Sequence, residues 1–175
     1  MRRGVRLGVD VGSVRVGLAA CDADGLIATP VETVPRDEKD LSDLARIAEE
    51  AAARSAVEVV VGLPRSMDGR EGPAAQAARG YAVRLAGVVA PVPVRLVDER
   101  LSTVSAHRAL HDSGVRGRRH RRVVDQVAAV LILQSALDAE RASGLAPGSV
   151  VDPVTATDDP AAGTPTPGRQ EAPPG

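Results

Sequence analysis

GVRLGVDVGSVRVGLAA, residues 4–20, reads as two short strands joined by a tight turn. Val5, Leu7, Val9 and Val11 alternate onto one face, and Arg6, Gly8, Asp10 and Gly12 onto the other. Gly12-Ser13 interrupts the run, and Val14, Val16, Leu18 and Ala20 then resume it, the pattern of a hairpin. Asp10 is the anomaly. A strand carboxylate costs stability unless a cation or a donor meets it. Gly8 and Gly12 on either side leave room for a large polar ligand close to the backbone. Asp10 is therefore the first candidate site residue, with Gly12 and Ser13 as its supporting turn.

Working outward, Gly25–Val34 (GLIATPVETV) suits a third strand closing an antiparallel meander, with Pro30 placing it at an edge or forcing a bulge. A helix is expected from Asp40 or Ser42 to about Arg54, on the stripe Leu41, Leu44, Ile47, Ala48 and Ala51. Glu58–Gly62 (EVVVG) has the composition of a parallel strand buried on both faces, ended by Leu63 and Pro64. After a loop from Arg65 to Gly72, a second helix begins at Pro73 and turns Ala77, Tyr81 and Leu85 inward. Val92–Val97 is the next strand and runs directly into Asp98-Glu99-Arg100-Leu101-Ser102-Thr103. Ser102 or Thr103 caps a third helix ending near Ser113. Arg116–Arg122 (RGRRHRR) reads as a basic loop, and the last helix as running from about Arg122 to Ala142. Beyond Gly144 the chain has no apolar period, so the expected division is a domain over 1–143 and a disordered, dispensable tail over 144–175. Three antiparallel strands followed by two parallel ones, with helices on both faces, make a mixed five-stranded sheet of the ribonuclease H-like order.

Composition narrows the function. A chain of 175 residues that is 43% hydrophobic supports one domain with a sizeable core. No apolar run spans a bilayer, and the N-terminus lacks a signal-peptide core, so a cytoplasmic location is expected. The single Cys21 excludes a disulfide framework and a multi-cysteine zinc site within the chain. With no Phe or Trp and one Tyr, base-stacking platforms are missing. Residues 150–175 carry a net −3, leaving the remainder at +2, mildly basic.

Three acidic positions fall where this fold converges: Asp10, Asp98-Glu99 past the last parallel strand, and Asp125 in what reads as the first turn of the final helix. Converging carboxylates need divalent cations, and an all-oxygen set suits Mg²⁺ or Mn²⁺ rather than zinc. Each acid has a plainer reading too. Asp10 could bind backbone N–H groups, Asp98-Glu99-Arg100 could form a local ion cluster, and Asp125 could favour a helix N-terminus. Arg116, Arg118, Arg119 and Arg121 precede Asp125 and suit phosphate contacts, or a solvated turn. His107 and His111 lie four apart, a spacing more often seen on a helix surface than around a metal. Ser13 and Ser102 lack a local partner that would make a nucleophile.

GVDVGSVRVGLA, VVVGLPRSMDG, VDERLST and VVDQVAAVLILQ, in that order, resemble the YqgF/RuvX family of bacterial ribonuclease H-like proteins over about residues 4–142. The resemblance implies a nuclease maturing the 5′ end of precursor 16S ribosomal RNA. The family was also suggested to resolve Holliday junctions. It implies that Asp10, Glu99 and Asp125 form the catalytic and metal-holding triad, with Asp98 the second choice for the metal. The matching segments add Arg15 and Arg100 as nucleic-acid contacts and Gly62, Pro64, Ser102 and Thr103 as supporting loop residues. Val14 stands where many members carry Lys, and the Pro-rich tail has no counterpart. The expected partner is nucleic acid, structured RNA ahead of branched DNA, with no membrane, for a monomer or a homodimer. Two other classes compete. Asp10-x-Gly12 also opens sugar-kinase and actin-like ATPases, which use two copies of the fold where this chain has one. A non-catalytic RNA- or ribosome-binding module is the third reading, separated from the first by cleavage with pure protein.

Overall fold

The computed structural model describes residues 2–66, 68–101 and 118–153, and for residues 101 and 118–125 it describes the backbone alone. The hairpin is β1 (Arg6–Val11) and β2 (Arg15–Cys21), closed by Gly12 N–H donating to Arg15 O at 2.9 Å around Ser13 and Val14. β3 (Ala28–Pro35) lies outside β2 as an edge strand, and Pro30 does both things its residue type allows. The pairing passes from Glu32 opposite Leu18 to Pro30 opposite Ala19, a bulge at Val31.

α1 (Ser42–Ala53) starts after a turn that Asp37 organises. Its carboxylate accepts the N–H groups of Lys39, Asp40 and Ser42 and the Ser42 hydroxyl. These bonds hold the Asp37 carboxyl below its ordinary value, chiefly the one from Asp40. β4 (Glu58–Leu63), α2 (Pro73–Val89) and β5 (Val94–Asp98) follow, and β5 gives way to a single 3₁₀ turn, Glu99–Leu101. The α2 stripe is Ala75, Ala78, Tyr81, Ala82 and Leu85, at the three- and four-residue spacing of one helix face; Ala77, expected inside, lies off that face and is exposed. The expected third helix lies outside the described residues.

The last helix, α3 (Arg118–Ser143), starts four residues earlier than expected and absorbs most of the expected basic loop. Arg is a good helix former, and RRHRRVVD contains no Gly or Pro to stop a helix, so a charge run was a poor sign of a loop. A further strand, β6 (Ser149–Val151), pairs antiparallel with β5. The sheet therefore has six strands rather than five, in the order β3-β2-β1-β4-β5-β6. β6 falls within the segment expected to be a disordered tail. Three residues are too few to show alternation, and their anchor comes from elsewhere: Arg95 Nη1 donates to Pro147 O and Gly148 O at 3.5 and 3.3 Å.

Two cores cover the two faces. Leu7, Val9, Val16, Leu18, Val59, Val61, Val94 and Leu96 pack under α1 and α2. Ala19, Val60 and Val97 pack under Ala129, Ile132, Leu133, Ala136 and Leu137 of α3. α3 comes down close to the sheet at Gly8, where a Cβ would stand 2.7 Å from Leu133 Cβ and 2.9 Å from Ala129 O. Among the described residues no helix is long and apolar enough to cross a membrane.

Candidate active site

Asp10, two residues beyond Gly8, shares the α3 side of β1 and is 6% exposed. β1 and β4 run parallel with Gly8 opposite Val60 and Val9 opposite Val61, which makes Gly62 the next neighbour of Asp10. β4 and β5 are also parallel, with Gly62 opposite Val97 and Leu63 opposite Asp98. The alternation along β5 is regular: Val94 and Leu96 enter the α1–α2 core and Val97 the α3 core. Glu99 therefore follows Val97 to the α3 side, where it is 5% exposed. A Cβ on Gly62 would fall on Glu99 Oε1, so that carboxylate lies over β4, on the side towards β1 and Asp10. Two buried acids thus sit at the carboxyl ends of two parallel strands, and the strand between them offers no side chain.

Asp98 has a different job. Its Oδ1 accepts Arg100 N–H at 2.9 Å, and its Oδ2 accepts Arg100 Nη2 at 2.7 Å. Arg65 Nη1 lies 3.7 Å from the same Oδ2. Arg100's bonds to the side chain hold the Asp98 carboxyl below its ordinary value. Arg65 in turn donates to Glu71 Oε1 at 2.9 Å, and Arg79 donates to both oxygens of the Glu71 carboxylate. Asp98 thereby ties the end of β5 to the loop leaving β4. Arg65 was absent from the sequence-based candidates. The signal that finds it is register, since Leu63 lies opposite Asp98 and Arg65 is two residues further on.

A second missed residue secures the hairpin. Arg36 donates its backbone N–H to Val14 O at 2.9 Å and its Nη1 to Gly12 O at 3.2 Å. Its guanidinium lies 4.8 Å over the Tyr81 ring and 3.6 Å from Asp43 Oδ2. Burial, then the Asp43 charge, push the Tyr81 hydroxyl well above its ordinary value, so it stays neutral. This cluster fixes the turn that follows Asp10.

The remaining candidates fall as follows. Ser13 is at the exposed hairpin tip, Arg15 opens β2, and Pro64 directly follows β4. Arg118, Arg119 and Arg121 lie in the first turn of α3 and not in a loop. Asp125 is the eighth residue of α3, in its third turn rather than its first, seven positions before Ile132. Arg116, Ser102 and Thr103 are outside the described residues, as are His107 and His111. Cys21 is buried, and its Sγ accepts Arg6 N–H at 3.2 Å. Among the described residues no three His, Cys, Asp or Glu gather as a metal site. The donors that do flank Gly62, Asp10 and Glu99, offer oxygen alone, which suits Mg²⁺ or Mn²⁺.

The model of a family described as "RuvX: Holliday junction resolvase" matches residues 4–139. A protein of Kineococcus radiotolerans named "Putative pre-16S rRNA nuclease" is 64% identical over 151 residues, covering 86% of this chain and 80% of its own. A protein of the same name from a Nocardioides species is 60% identical over 154 residues, covering 87% and 99%. Among solved structures, Thermus thermophilus RuvC in complex with a Holliday junction substrate is similar, with a TM-score of 0.50 at 19% identity, over 85% of this chain and 99% of that one. That likeness speaks to the fold.

Proposed function

Because this chain belongs to the RuvX family, we propose that it is a nuclease that hydrolyses phosphodiester bonds to mature the 5′ end of precursor 16S ribosomal RNA. One observation carries the chemistry: Asp10 and Glu99 are both buried and flank a strand position without a side chain. Carboxylates that converge on one strand repel each other, and a divalent cation between them relieves that repulsion. Asp10, Glu99 and Asp125 would hold Mg²⁺ or Mn²⁺. When bound, such ions supply the charge that activates water and stabilises a leaving oxygen.

The chain's own residues do the rest. Asp10 presents its carboxylate from β1 and Glu99 from the turn directly after β5, so the adjoining sheet positions the donors before substrate arrives. Asp98 holds Arg100 and, at longer range, Arg65 beside the end of β5, and both guanidiniums are of the kind that can meet a phosphate backbone. Arg36 keeps the hairpin turn, with Ser13 and Arg15, in one position. The arginines opening α3 add sequence-independent phosphate contacts. The activity belongs in the cytoplasm, where ribosomal precursors are processed.

The test is to incubate the pure protein with precursor 16S RNA and, separately, with a four-way DNA junction, each with Mg²⁺, Mn²⁺ or chelator. The proposal expects metal-dependent shortening of the RNA. Cleavage of the junction alone, by a two-fold dimer, would favour the resolvase reading that the family's description carries. Binding without cleavage of either would make the chain a non-catalytic RNA-binding module.

A further inference from the structure

We propose that Gly62 is a positioning residue, whose missing side chain is what lets Glu99 reach across β4 to share an ion with Asp10. The inference rests on the metal-dependent reading of the same site. A Cβ at residue 62 would meet two groups: Glu99 Oε1, and Ile132 Cδ1 at 2.5 Å. Both are the free ends of side chains rather than backbone, so both can give way and the fold survives. The consequences of the two movements differ. Displacing Ile132 Cδ1 costs some packing between α3 and the sheet. Displacing the Glu99 carboxylate takes it off the line towards β1, and nothing in strand geometry brings it back. Gly62 has an ordinary backbone conformation, since the only described glycines with positive φ are 4, 25, 69, 144 and 148. Its requirement is therefore space over the strand and not backbone freedom.

The test reads Mn²⁺ binding by titration calorimetry, together with the melting temperature, on the full chain. Gly62→Ala is expected to melt within a few degrees of the wild type while losing about 10–100-fold in Mn²⁺ affinity, the range for disturbing a ligand's support. Adding Ile132→Val removes Cδ1, which should restore the melting temperature and leave the affinity low. In a Glu99→Asp background, where the shorter side chain no longer covers residue 62, adding Gly62→Ala should change affinity by less than about threefold, a non-additivity that marks direct coupling. Wild-type-like affinity in Gly62→Ala would overturn the inference and leave the metal reading standing. So would recovery of affinity by Ile132→Val, since Gly62 would then serve helix packing alone. A wild-type chain that binds no Mn²⁺ would end both.

Discussion

Glu140, near the end of α3, accepts hydrogen bonds from both the backbone N–H and the guanidinium of Arg2, at 3.0 and 2.9 Å, and so clamps the first residues of the chain to the last helix. Arg2 also reaches Glu58 at 2.9 Å, Arg95 bonds Glu58 at 2.8 Å, and buried Arg6 lies 3.4 Å from Glu140. The network closes the end of the sheet opposite the acidic site.

Arg2 holds the Glu140 carboxyl down to about 2 from an ordinary 4.5. A lowered folded-state value means stability that is present above about 4.5 and lost as pH falls towards 2. Glu140→Gln should flatten that acid limb in urea unfolding between pH 6 and 3. Breaking a buried pair costs about 3–5 kcal/mol; Arg2 is nearly half exposed, so the expected loss at pH 7 is about 2 kcal/mol. An acid limb unchanged in the variant would remove Glu140 from the account.

Cutting the chain after Ala142 should lower the melting temperature by several degrees. It removes β6, the carbonyls that Arg95 holds, and the left-handed Gly144 whose N–H bonds Glu140 O at 2.8 Å. Cutting after Pro153 keeps all of these and should change nothing. Equal stability of the two truncations would show that β6 contributes nothing.

Glu99→Gln should abolish metal-dependent cleavage, while Asp98→Asn should weaken it less and soften the loop after β4. Arg100 is about one-third exposed, so solvent weakens its bond to Asp98 and the melting temperature should fall by no more than a few degrees. The reverse ranking in a cleavage assay would mean that Asp98 holds the ion.

Changing Arg118, Arg119 and Arg121 to Ala should weaken RNA binding without altering cleavage of bound substrate. On single strands, the slope of log affinity against log salt should become shallower by about 0.7 for each phosphate no longer neutralised. A slope equal to that of the wild type would assign these arginines to the solvated start of a helix.

Much of this arrangement is legible before any coordinates, because it rests on short-range alternation. Val5 to Val11 and Val94 to Glu99 keep strict period 2, which separates Glu99 from Asp98; that Glu99 is the one on the side of Asp10 follows only from the pairing and packing of β1, β4 and β5. The tight turn at Gly12 and the helix start at Pro73 are equally local. What escapes is long-range. Arg65 meets Asp98 only through the register of two parallel strands, and Arg36 finds Gly12 across 24 residues. β6 is invisible because its three residues owe their place to Arg95, 53 residues before Gly148. The early start of α3 escapes because residues 118–122, RRHRR, carry no apolar residue to show a helical period.

The most direct measurement is cleavage of precursor 16S RNA by Asp10→Asn beside the wild type, with Mn²⁺ and at matched melting temperature. The substitution keeps the shape of the side chain and removes the charge that an ion requires. The account predicts that cleavage falls by orders of magnitude while the fold is retained. Full activity with unchanged metal dependence would contradict it.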